Sequence, residues 1–190
     1  MTSPESDRVT RAVTGDAEAI AALLAEIRPG VFRYCRARLG RVGGGYTTAD
    51  DVSQEVCLAV LRALPNYKDQ GRPFSAFVFS IAANKVADAQ RAAVRKAALP
   101  VETLQDRPDL SPGPEQHAIR GDLARQLSKL LGRLSDTYRE IVILRVAVGL
   151  TADEVGDVLG MSAAAVRVAQ SRALARLRTL AGSQFDEVPA

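Results

Sequence analysis

The sequence predicts an all-α fold of two small helical domains joined by an extended linker, and three observations carry that prediction. Apolar residues recur three and four apart along most of the chain, the spacing of helices with one buried face. Alternating strand patterns are nearly absent. Near residue 97 the text changes to LPVETLQDRPDLSPGP, which holds four prolines, several acids and no sustained apolar period. The expected organisation is a first domain over 1–96, a linker over 97–114, a second domain over 115–182 and a tail over 183–190. A length of 190 residues accommodates one or two such domains and no large enzyme.

In chain order, a first helix is predicted over 16–27, with Ile20, Leu23, Leu24 and Ile27 on one face. Pro29 permits a new start, and a second helix over 30–39 carries Val31, Tyr34, Cys35 and Leu39. GRVGGGY is the turn. Thr47 or Thr48, three residues before Asp50 or Asp51, caps a third helix whose core face is Val52, Val56, Ala59, Val60 and Ala63, and Pro65 stops it after Leu64. A fourth helix follows the loop PNYKDQGRP and runs from Phe74 to about Lys96. After the linker come an amphipathic helix (Ile119, Leu123, Leu127, Leu130, Leu131) and one opened by Ser135 (Tyr138, Ile141, Val142, Leu144, Arg145). Thr151 then caps a short helix with Val155 and Leu159 inward, and Gly160 supplies the turn where a positive φ is needed. Ser162 caps the last helix. Val166, Ala169, Ala173, Leu177 and Leu180 face inward on it, leaving Ala164, Ala165, Arg167, Val168, Ser171, Arg172 and Arg176 outward.

The net charge of +3 hides segregation. Residues 62–96 hold seven cations against two acids and residues 119–182 ten against six, while residues 97–118 hold four acids and one cation. Two basic blocks separated by an acidic interval offer two places for a polyanion. No run approaches eighteen apolar residues, and MTSPESDRVTR lacks the hydrophobic stretch of a secretory signal, so a cytoplasmic chain without membrane insertion is expected. Cys35 and Cys57 form no CxxC, and the only histidine, His117, falls in the linker, so no metal, cofactor or catalytic residue is expected. Asp50 and Asp51 are adjacent and point about 100° apart on a helix, which prevents them from chelating one ion together. Gly43, Gly44 and Gly45 lack the lysine of a phosphate loop and read as a flexible turn.

The last two helices have the pattern of a helix-turn-helix. Small side chains at the start of the second allow close approach to the major groove, and its arginines can reach guanine edges or phosphates. A helical hairpin with solvated charges is the plainer reading of the same pattern. In the first domain, Asp51, Glu55 and Arg62 stand beside the core face of the third helix, with Leu58 and Leu61 on the outward half. On these features alone a solvated acidic face and a partner surface fit equally. The fourth helix opens with PFSAFVFS and ends in Arg91, Arg95 and Lys96 beside a polar loop. Phenylalanines at helical spacing are usually core, yet an aromatic and basic surface next to a loop is also what single-stranded DNA requires.

The run LSDTYREIVILRVAVGLTADEVGDVLGMSAAAVRVAQSRALARLR resembles region 4 of bacterial extracytoplasmic-function sigma factors, of the sigma-70 superfamily. The resemblance rests on Tyr138, Arg139 and Glu140, the Leu144 and Arg145 pair, Gly149 and Leu150, the Leu159, Gly160 and Ser162 turn, and Val166, Arg167, Arg172, Ala173 and Leu177. It departs at Ala165, where a hydroxyl is usual, and at Ala169, where arginine is common. DDVSQEVCLAVLRALPNYKDQGRPFSAFVFSIAANKVADAQR is similar to region 2, with Cys57 where phenylalanine is usual and Ala83 where arginine is common. YCRARLG, GRPFSAF, IAANKVADAQRA and ILRVAVGL resemble the actinobacterial sigma-D-like group, which includes the factor that drives transcription of a principal sigma factor in Streptomyces.

The resemblance implies a sigma subunit that partners RNA polymerase core and promoter DNA. Asp50, Asp51, Gln54, Glu55 and Leu58 would meet the β′ clamp helices, and the second domain would meet the β flap. Tyr67, Lys68, Asp69, Gln70 and Arg72 would capture a flipped base of the minus-ten element, with Phe79, Ala83, Asn84, Ala87 and Arg91 lining the non-template strand. Ser162, Ala164, Ala165, Arg167, Val168, Ser171 and Arg172 would read the minus-thirty-five duplex. The acidic linker would enter the polymerase interior near the RNA path, and an anti-sigma factor is a further partner that the resemblance allows. A stand-alone helix-turn-helix regulator would instead need a ligand pocket or a phosphorylatable Asp at a strand end, and the first domain shows no strands. A nucleic-acid enzyme would need clustered carboxylates or a histidine pair, and the sequence offers neither.

Overall fold

The computed structural model describes residues 4–39, 48–97 and 126–185, and among them there are helices and turns but no strand. The helices are α1 (Pro4–Val13), α2 (Ala17–Leu39), α3 (Ala49–Ala63), α4 (Phe74–Ala97), α5 (Asp136–Val142), α6 (Ala152–Leu159) and α7 (Ala163–Phe185), with residues 126–132 also helical. The GRVGGGY turn, the linker, and Ile119 and Leu123 lie outside the described residues.

Two helices near the N-terminus differ from the sequence expectation. α1 was not expected: among its described side chains only Val9 and Ala12 are apolar and buried, too few and too small to give a periodic signal, and the helix forms by lying on α2 and on the 3-10 turn Leu64–Asn66. The two helices expected on either side of Pro29 are one helix. Pro29 deprives the Ala25 carbonyl of its donor, at a cost of about 3 kcal/mol in a helix interior. The helix continues because Ala19, Leu23, Val31, Tyr34 and Cys35 stay on one buried stripe across the proline. Burying such side chains at about 1.5–3 kcal/mol each outweighs the lost bond.

α2 is the axis of the molecule, packed by α1, α3 and α4. Thr48 caps α3 in a reciprocal box with Asp51, and the chain passes through Pro65 into the 3-10 turn as α3 ends. After α5 the chain widens into a π-helical segment, Ile143–Val148, which Gly149 ends at φ +97°, donating its N–H to the Leu144 carbonyl at 3.1 Å. The wider turn and left-handed stop reorient the chain so that α6 begins at Thr151 under its own capping box with Glu154. Leu131, Leu134, Val142 and Ala173 form a small cluster beneath α5 and α7. Arg139 clamps its edge, donating to the carbonyls of Leu131, Gly132 and Leu134 at 2.9, 3.1 and 3.0 Å.

Candidate nucleic-acid interface

The helix-turn-helix is built by backbone constraints. Thr151 donates its N–H to Glu154 Oε2 at 2.7 Å and Glu154 returns its N–H to Thr151 Oγ1 at 3.2 Å, which fixes the start of α6. Gly160, at φ +67°, turns the chain, and the Met161 N–H reaches back to the Gly156 carbonyl at 2.9 Å. Gly156 permits that approach: a Cβ there would lie 2.5 Å from the Met161 carbonyl oxygen. Ser162 Oγ then accepts from the Ala165 N–H at 3.2 Å and starts α7.

Along α7, Val166, Ala169, Ala173 and Leu180 are buried and Leu177 is half-buried. Ser162, Ala164, Arg167, Val168, Ser171, Arg172 and Arg176 are exposed, and Ala165 is half-buried. No acid occurs from Ala163 to Gly182, so the exposed face is cationic at the end where small side chains leave room. Arg167 pairs with Asp153 at 3.6 Å, both well exposed, a bond weak enough to be exchanged for a phosphate. Arg145 holds the helix from behind, donating Nε to Gln170 Oε1 at 2.9 Å and Nη1 to the Leu150 carbonyl.

In the first domain Asp50, Asp51, Gln54, Glu55 and Leu58 are all exposed on α3. Asp51 also secures the start of its own helix, where its carboxylate accepts the Thr48 N–H at 2.8 Å and the Thr48 hydroxyl at 2.9 Å. Those two bonds hold its pKa below the usual carboxylate range. Leu58, half exposed, puts an apolar spot beside these acids, and Glu55 stands 3.8 Å from Lys85 of α4.

The 67–72 loop is anchored at one end and free at its tip. Tyr67 packs edge-on against Phe74 and tilted against Phe77, with ring centres 5.3 and 4.9 Å away, whereas Lys68, Asp69, Gln70 and Arg72 are exposed. Asp69 Oδ1 accepts the Gly71 N–H at 2.8 Å, and Gly71 takes φ +72°. On α4, Asn84 and Arg91 are exposed and Ala83 and Ala87 half-buried. Phe79 is buried, its ring meeting that of Tyr34 edge-on at 5.6 Å. Ala87, Gln90, Arg91, Val94 and Arg95 line an open groove of about 510 Å³, cationic on its rim and apolar at Val94. Arg91 is within bonding distance of Asp88, and that bond lowers the Asp88 pKa. Among the described residues no group of three or more His, Cys, Asp or Glu is placed to hold a metal ion, and no helix is long and apolar enough to cross a membrane.

Sequence reasoning missed residues that position these surfaces. Gly156 was not among the residues singled out in the sequence. Arg139 and Glu140 entered only through the resemblance, yet Arg139 is a clamp, and Glu140 bonds to Tyr34 and Arg38 of the other domain. A glycine between two inward positions of a short helix was the one local signal for Gly156. No local signal marked Glu140.

The family model for sigma-70 region 2 matches residues 23–96, and that for sigma-70 region 4 matches residues 124–177. The chain is 56% identical to the ECF RNA polymerase sigma factor ShbA of Streptomyces griseus over 177 residues, which covers 91% of this chain and 93% of that protein. It is 54% identical to the ECF RNA polymerase sigma factor SigD of Mycobacterium tuberculosis over 170 residues, covering 90% of this chain and 80% of that protein. The solved structure of CnrH in complex with the cytosolic domain of CnrY is similar at a TM-score of 0.69 and 28% identity, covering 94% of this chain and 97% of the other. A capped helix-turn-helix with an acid-free outer face, an exposed acidic helix in the preceding domain, and relatives matched over 80–93% of their length agree: the chain belongs to the extracytoplasmic-function family of RNA polymerase sigma factors, built from sigma-70 regions 2 and 4.

Proposed function

We propose that the chain directs core RNA polymerase to promoters by dividing the work among the three surfaces described. Asp50, Asp51, Gln54, Glu55 and Leu58 dock on the β′ clamp helices, where exposed carboxylates beside one apolar side chain suit a basic helical partner. The second domain meets the β flap. The 67–72 loop, Asn84, Ala87 and Arg91 hold the melted minus-ten strand by phosphate attraction and by shape. Phe79, seated against Tyr34, supports that surface from below. α7 enters the minus-thirty-five major groove through Ser162, Ala164, Ala165, Arg167, Val168, Ser171 and Arg172. The chain acts in the cytoplasm, catalyses no step itself and needs no cofactor, because nucleotide addition belongs to the polymerase. By its likeness to CnrH, whose structure includes the cytosolic domain of CnrY, an anti-sigma factor is a further partner.

The observation that carries this reading is the outer face of α7, exposed, cationic and acid-free on a helix whose inner face buries Val166, Ala169, Ala173 and Leu180. Arginine contacts to base edges are worth about 1–3 kcal/mol each. The Arg167→Glu, Arg172→Glu double variant is therefore expected to weaken holoenzyme binding to the upstream duplex by on the order of 100-fold or more. Footprinting of the minus-thirty-five region checks it. Unchanged upstream protection would refute the assignment of α7 as the reading helix.

A further inference from the structure

α7 offers few polar groups at its N-terminal end. From Ala163 to Ala169 the side chains are three alanines, Val166, Arg167, Val168 and another alanine, so Arg167 is the one polar side chain of the first two turns. Ser162, just before them, already uses its hydroxyl oxygen to accept the Ala165 N–H at 3.2 Å. Val166 and Ala169 are buried inward. What these turns present outward is therefore Ala164, Arg167 and Val168, with Ala163 and Ala165 half-buried beside them.

Arg167 and Val168 face different parts of a duplex. Arg167 leans towards Asp153 of α6, 3.6 Å away. In a helix-turn-helix the first helix crosses the sugar-phosphate backbone, while the N-terminal residues of the second contact base edges. The flank that Arg167 shares with α6 is thus the phosphate side. Val168 lies about 100° further round the helix. It stands in line with Ala164 one turn before it and Arg172 one turn after it, all three exposed.

Single exposed valines are ordinary, but this one, 51% exposed, sits at the centre of an acid-free face between two arginines. Its β-branch leaves essentially one rotamer in a helix, so little side-chain freedom is lost on contact. A side chain with neither donor nor acceptor cannot tell bases apart by hydrogen bonding. The major-groove edges of the four bases carry one apolar group among them, the C5-methyl of thymine.

We infer that Val168 is a specificity residue that packs on the C5-methyl group of one thymine in the minus-thirty-five element, a role that rests on the function proposed above. Ala164, one turn earlier, lets the helix approach closely enough for that contact, and Arg172, one turn later, anchors the helix beyond it.

The test uses holoenzyme containing the full chain and the promoter duplex that it transcribes most strongly. Each thymine of the minus-thirty-five element, on either strand, is replaced singly by deoxyuridine, which removes the methyl group and nothing else. One position is expected to lose about three- to fivefold in binding, the worth of one buried methyl. Val168→Ala is expected to bind the native duplex more weakly by a similar factor and to bind the thymine and deoxyuridine duplexes equally. Alanine at an exposed helical position leaves the fold intact, so the loss reports on DNA. Deoxyuridine tolerated at every position, an element without any A·T pair, or the same sensitivity to deoxyuridine in Val168→Ala would overturn the assignment. A holoenzyme that protects the upstream duplex yet ignores every methyl leaves the proposed function standing and removes this role alone. One that protects no upstream duplex overturns both.

Discussion

Tyr34→Ala is expected to lower the unfolding free energy by about 3–5 kcal/mol, a large share of the 5–15 kcal/mol typical of a small protein. The Tyr34 ring is completely buried, its edge lies against Phe79, and its hydroxyl is the hydrogen-bond donor to a mostly buried carboxylate. Truncation leaves a cavity between α2 and α4 and strips Glu140 of that donor. Burial and the neighbouring Glu140 both push the phenol pKa up, so the hydroxyl keeps its proton and its donor role at any ordinary pH. Tyr34→Phe keeps the ring and removes only the donor, with an expected cost of about 1–3 kcal/mol. Denaturant titration of both variants separates the two contributions: the midpoint falls further for alanine, with little change in slope. Equal losses would show that ring packing contributes nothing.

The second large effect is expected at Gly156. Gly156→Val places a branched side chain where a single Cβ would already stand 2.5 Å from the Met161 carbonyl oxygen. That oxygen belongs to the backbone of the turn, so relief requires α6 and α7 to separate. Overpacking of this kind costs about 1–3 kcal/mol or more. The separation also tilts the whole outer face of α7 away from its mount, so transcription from promoters that depend on the upstream element is expected to fall at least about tenfold, well beyond the loss in melting temperature. Run-off yield from such a promoter, measured beside thermal unfolding, checks it. Wild-type yield would mean the turn tolerates the side chain and the reading helix is mounted differently.

Legibility in the sequence followed the range of the interactions. Ser135, Thr151 and Ser162 were readable as caps, and Thr48 as one of two candidates beside Thr47, because a cap is a local pattern of a short polar side chain just before a helix; all four accept the expected backbone N–H. Gly160 was readable because only a left-handed residue fits between two helices so closely spaced. Val166, Ala169 and Ala173 were readable as inward because burial imposes the helical period on them. Pro29 misled for the opposite reason: its local cost is certain, and the long-range burial that offsets it leaves no mark nearby.

The meeting of the two domains was invisible for the same cause. Tyr34 and Glu140 are 106 residues apart, and a single polar contact has no period. Within the candidate interface, the α3 acids and the α7 arginines could be placed as exposed from periodicity. Phe79 could not be placed by spacing alone, since an aromatic at helical spacing fits core and stacking platform alike, and its contact with Tyr34 decides where it sits.

The central claim, that this chain confers promoter selectivity on polymerase, is tested most directly by run-off transcription with purified core enzyme and genomic fragments. Addition of the chain is expected to produce discrete transcripts from a subset of fragments, dependent on sequence at both upstream elements. Transcription no greater than that of core enzyme alone would contradict the account.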